Sequence, residues 1–123
     1  MTNITAHAAE VAGFSVHVAL HRLQGELVSR KTITLHFKPN GEPLRQAWLH
    51  FLPGARGREN TLQASSLAIS LPAEEFDRWL HLLQTEAPLG FSWTVDEDRR
   101  EVLGVALYSG EEPPGERHVD LAA

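Results

Sequence analysis

The stretch Leu67 to Val95, L-A-I-S-L-P-A-E-E-F-D-R-W-L-H-L-L-Q-T-E-A-P-L-G-F-S-W-T-V, limits most strongly what this chain can become. It reads as a strand, a helix and a strand. Phe76, Trp79, Leu80 and Leu83 follow the i, i+3, i+4, i+7 spacing of one helical stripe, and Leu82 widens it. Glu74, Glu75, Asp77, Arg78, His81 and Gln84 fall mostly on the wet side. Pro72 suits a first turn, where a missing N–H costs nothing. Ser70 is the candidate N-cap, and the acids that follow it complement the positive end of a helix. Pro88 and Gly90 mark the stop, which predicts a helix over Ala73–Thr85. A stripe holding Trp and Phe needs a broad apolar partner. That partner is a sheet, because nearly every other apolar run alternates with period two.

Phe14, Val16, Val18 and Leu20 alternate with Ser15, His17, Ala19 and His21, the pattern of a half-buried strand. After a turn at Gln24-Gly25-Glu26, Leu27 to Lys38 returns with Ile33, Leu35 and Phe37 inward and Thr32, Thr34, His36 and Lys38 outward. Pro39-Asn40-Gly41-Glu42-Pro43 is a turn. Leu44 to Leu52 is a third strand, apolar on both faces. Leu62 to Leu71 is a fourth, and its change of phase near Ser65-Ser66 predicts a bulge. Phe91 to Val95 is a fifth. The charged turn Asp96 to Arg100 leads to a sixth, with Leu103, Val105 and Leu107 inward and Gly104, Ala106 and Tyr108 opposite.

The expected fold class is α+β: a single two-layer domain with a mainly antiparallel sheet of about six strands, β-β-β-β-α-β-β, packed on one amphipathic helix. Residues 1–12 are expected to be flexible, 13–109 to form the domain, and 110–123 to be a flexible tail rich in Pro, Gly and Glu. The 123 residues suffice for one core. Apolar residues at 42% and charged residues at 22% are ordinary for a globular protein. With no cysteine, disulfides, thiolate zinc sites and Cys nucleophiles are excluded. There is no signal-peptide pattern and no long apolar run, so the expectation is a cytoplasmic protein that does not enter a membrane.

Charge is uneven. Residues 1–60 carry a formal +3 and residues 61–123 carry −8. Such a bipolar chain can steer partners or pair head to tail, although an acidic turn and tail account for it as well.

The sheet face away from the helix is the candidate site. Alternation puts His17, His21, His36, His50 and Trp48 on it, if the core face carries Val18, Leu35 and Leu49. Trp48, His50, Leu52, His17 and His36 are therefore the expected interaction face for a protein partner or a second copy. The alternative is single-stranded nucleic acid, with Trp48 stacking on a base and Arg22, Arg30, Lys31, Lys38, Arg45, Arg56 and Arg58 following phosphates. The element order is analogous to Whirly-type single-stranded DNA-binding folds in topology alone; no motif matches and no family is assigned. A net charge of −5 weighs against nucleic acid. Small-ligand or metal binding through the histidines stands third, since the set has no carboxylate beside it and no ligand spacing. The reading assigns no cofactor, no metal and no catalytic residue. The P-loop, dinucleotide and nucleophile-elbow patterns are missing. The expectation is a non-catalytic accessory or adaptor protein.

Overall fold

The computed structural model describes residues 3–53 and 60–110. Among them seven strands form one sheet: β1 (Ile4–Leu23), β2 (Glu26–Phe37), β3 (Gln46–Leu52), β4 (Asn60–Leu62), β5 (Ser66–Pro72), β6 (Leu89–Asp96) and β7 (Glu101–Ser109). A 3-10 turn, Ala73–Glu75, leads into α1 (Phe76–Thr85). Strand order is β4-β5-β3-β2-β1-β6-β7. The two outer strands come together where Asn60 bonds Val102, so the sheet curls into a nearly closed barrel.

Several expectations change. The sheet has seven strands and is mixed, because β5 runs parallel to β3. The phase change at Ser65-Ser66 is a reversal between two strands. β4 lies at the edge, and β5 returns antiparallel to it into the place beside β3. Alternation looks the same for parallel and antiparallel neighbours, so the pattern could not distinguish them. Residues 4–10, expected to fray, form the first half of β1 and pair with β6 from Ile4↔Asp96 to Glu10↔Gly90. Ser70 sits in β5, and the helix start has no side-chain cap. Gly90 lies inside β6, where a Cβ would come within 2.2 Å of the Tyr108 ring lying over it. At the β6/β7 bulge Val102 faces Val95, so Val102 takes the buried place expected of Leu103. Residues 111–123, expected to form a tail, lie outside the described residues.

The core fills the inside of the curl. Ile33, Leu35, Ala47, Leu49, Phe51, Leu67, Phe91 and Val95 are buried there. Phe37, Phe91 and Trp93 stack along it. The helical stripe meets this inner face as predicted. Phe76 and Trp79 set their rings against Phe51, and Trp79 reaches Phe91. Phe76 and Leu83 are buried, each worth about 1.5–3 kcal/mol.

Ser92 is a small misfit. It stands between Ala8 and Ala106 on the outer side, fully buried, and its hydroxyl has no hydrogen-bond partner among the described residues. Ser92→Ala should therefore stabilise the protein by about 1 kcal/mol, since it removes a desolvated hydroxyl that gains nothing. Denaturant titration measures this. A loss of stability would mean that the hydroxyl has a partner.

Candidate functional site

The outer face of the sheet is built in rows. Ser15, Thr34, Trp48, Ala68 and Thr61 form one row; His17, Thr32, His50 and Ser70 form the next. Gly13, His36, Gln46 and Ser66 form a third. His17, His36, His50 and Trp48 do share one face. Trp48 is 39% exposed, whereas Leu52 is buried and adds little surface. The imidazoles do not converge. Thr32 separates His17 from His50, which lie two strands, roughly 10 Å, apart. His50 Nδ1 is 2.9 Å from Thr32 Oγ1. Among the described residues no three His, Asp or Glu side chains are placed to hold a metal ion.

The cations expected to follow phosphates are divided. Arg30 is on the outer face, while Arg22 and Lys31 are on the opposite one, with Lys31 Nζ 4.8 Å from the centre of the Phe76 ring. Lys38 is paired with Glu10, and Arg45 is exposed in the link before β3. Arg56 and Arg58 lie outside the described residues. The five described cations do not make one track.

A different surface stands out. Pairing of β2 with β3 stops at Lys31↔Phe51, and pairing of β1 with β6 stops at Glu10. Beyond those limits, β1 and β2 pair only with each other among the described residues and project as a two-stranded arm. Gln24 and Gly25 close it with φ of 51° and 82°, both positive as a two-residue type I′ hairpin turn requires. Val16 at the base of this arm and Val18, Leu20 and Leu27 along it share one side and are 41, 59, 64 and 60% exposed. Val18, expected in the core, points toward the core side from a strand that has outrun the core. Four large aliphatic side chains together on a surface mark an interaction site more often than chance exposure. One signal was available in sequence: the strand Leu27 to Lys38 is longer than its neighbour Leu44 to Leu52, so the hairpin must overhang it.

The second feature missed in sequence is a polar cluster on the N-terminal half of β1. The His7 ring stacks on Trp93 at 5.4 Å. Its Nδ1 lies 3.2 Å from Glu42 Oε1, and its Nε2 lies 3.0 Å from Thr5 Oγ1. Thr5 donates its one proton to Glu97 at 2.5 Å. With that proton committed to Glu97, the His7 Nε2–H is the donor to the Thr5 oxygen. The carboxylates stand on opposite sides of the imidazole and cannot close on a common ion. The cluster instead ties β1 to the turn before β3 and to the turn after β6. Small, weakly alternating residues around it (Ala6, Ala8, Ala9) hid this strand from periodicity.

The Thr5 hydrogen bond, with help from His7 and Arg100, holds the Glu97 carboxyl below the usual carboxylate range. A depressed folded value gives stability that is present above the unfolded pKa and is lost as pH falls through the folded one. Thr5→Val should raise the Glu97 titration midpoint toward the ordinary range, as followed by carboxyl carbon NMR. An unchanged midpoint would remove Thr5 from this role.

An open groove of about 540 Å³ lies between Asn40, Pro88, Gly90 and Tyr108. Burial raises the Tyr108 hydroxyl pKa. Other polar groups along the groove are already engaged: Asn40 Nδ2 donates to the Ala8 carbonyl, and Glu10 holds Lys38. No helix among the described residues is long and apolar enough to cross a membrane. Comparison with family models, with curated proteins and with solved structures finds no match for this chain.

Proposed function

We propose a non-catalytic accessory or adaptor protein of the cytoplasm that works by protein contact, with the β1/β2 arm as its main contact element and the Trp48 face as a secondary one. The exposure of Val16, Val18, Leu20 and Leu27 together on one side of the arm carries this reading. Such a patch is energetically idle in the isolated chain and becomes useful when a partner covers it. The division of the basic side chains between two faces favours protein over nucleic acid.

The double variant Val18→Lys/Leu20→Lys tests it. Both positions are surface, so folding stability should change by less than about 0.5 kcal/mol per site. Association should fall at least tenfold, whether read as self-association by sedimentation or as retention of a purified partner protein. Unchanged association in a folded variant would remove the arm from the contact and the reading with it.

A further inference from the structure

We infer that the arm's partner is a second copy of this chain, joined edge to edge along β1 in an antiparallel register with the two-fold axis at Val18. This rests on the reading of the arm as a contact element and names its occupant. Two observations select that occupant and register.

The first is the direction of the backbone. In a two-residue hairpin the pair that flanks the turn, Leu23↔Glu26, exchanges hydrogen bonds, and bonded pairs then alternate along the ladder. Leu23, His21, Ala19, His17 and Ser15 therefore turn their N–H and C=O toward β2. Phe14, Val16, Val18, Leu20 and Arg22 turn theirs to the edge that no strand among the described residues covers. The same alternation sends Phe37 N–H toward the β3 side, where it meets the Arg45 carbonyl at 3.0 Å. The open edge and the apolar side chains thus belong to the same residues.

The second is self-complementarity. With the axis at Val18, Val16 faces Leu20 of the second copy and Val18 faces its own equivalent. Every exposed aliphatic residue of β1's arm segment then has an aliphatic neighbour across the new ladder. Phe14, itself partly buried against the core, faces Arg22. On the other side His17 faces Ala19 and Ser15 faces His21, so no imidazole is set directly against another. Moving the axis one residue, to Ala19 or to His17, sets His17 against His21 or against itself. The five outward residues of each chain would share about ten hydrogen bonds. The interface closes after two copies, because each edge is used once.

Proline at Val18 is the decisive variant. The Val18 N–H points away from β2, so Val18→Pro leaves the hairpin ladder whole and blocks the new one. Sedimentation should show wild-type dimer giving way to 13.7 kDa monomer in Val18→Pro, with unchanged circular dichroism. The chain has no cysteine, so Val18→Cys places a single thiol. Directly opposed residues of a bonded pair sit about 5.5 Å apart at Cα, within disulfide reach. Mild oxidation should cross-link Val18→Cys at least tenfold faster than a Gln63→Cys control. A wild type that stays monomeric, with Val18→Cys no faster than the control, overturns the inference. If Val18→Lys/Leu20→Lys then still lost binding to a purified foreign protein, the contact function would survive and its partner would be that protein. If that variant lost nothing, both readings would fall together. A dimer that persists in folded Val18→Pro also overturns the inference.

Discussion

Phe51→Ala should destabilise the protein by about 3–5 kcal/mol, the cost of emptying a buried aromatic site. Phe51 is 1% exposed on the inner face of β3, and its ring meets Phe76 at 5.4 Å and Trp79 at 6.3 Å. It is the point where the helix rests on the sheet, so the cavity would be shared by both layers and would collapse poorly. Typical domains hold only about 5–15 kcal/mol, so this one change should consume a large part of the stability. With a urea m-value of about 2 kcal/mol/M, the midpoint should fall by roughly 2 M. Trp48→Ala is the control. Trp48 lies three residues earlier on the opposite face and is 39% exposed, and its loss should cost about 1 kcal/mol or less. Equal losses at the two sites would mean that inner and outer faces have been exchanged.

The second large effect belongs to Asn60. Its Nδ2 donates to the Val102 carbonyl at 2.7 Å and its Oδ1 accepts the Val102 N–H at 2.9 Å. One side chain thereby imitates a strand and bridges the seam between β4 and β7. Asn60→Ala leaves both Val102 backbone groups without that partner beside a buried side chain, at about 2–3 kcal/mol. Asn60→Asp keeps the acceptor and loses the donor. It turns a carboxylate toward a carbonyl oxygen, so it should cost at least as much. Hydrogen exchange gives the local test: the Val102 amide should lose protection in Asn60→Ala, which removes its acceptor, and keep more of it in Asn60→Asp. Retained protection in Asn60→Ala would mean that the seam is held by something other than this side chain.

Both predictions concern how the curl is held, and the curl explains where the contact surface lies. A sheet that closes on itself hides its inner face and needs only short strands to do so. β3 and β5 have seven residues each, enough to line the core. The β1/β2 hairpin is longer than the barrel is tall. Its surplus emerges as the arm, carrying inward-pointing aliphatic side chains out into solvent.

Local pattern was enough to determine the period of each element. Ile33, Leu35, Phe37, Ala47, Leu49 and Phe51 are inward as alternation requires, and Phe76 and Leu83 are buried as the helical stripe requires. His17, His36, His50 and Trp48 share the outer face for the same reason. These features depend on residues two to four places apart, where side-chain direction follows from backbone geometry alone. Tertiary structure decided what depends on distant partners. The parallel pairing of β3 with β5 has the same alternation as an antiparallel one. The seam joins Asn60 to Val102 across 42 positions, and the cluster joins Thr5 to Glu97 across 92. Val18 shows the division most plainly. Its inward direction was written in the alternation of β1, but its exposure was not, because burial depends on how far the neighbouring strands extend and not on which way a side chain points.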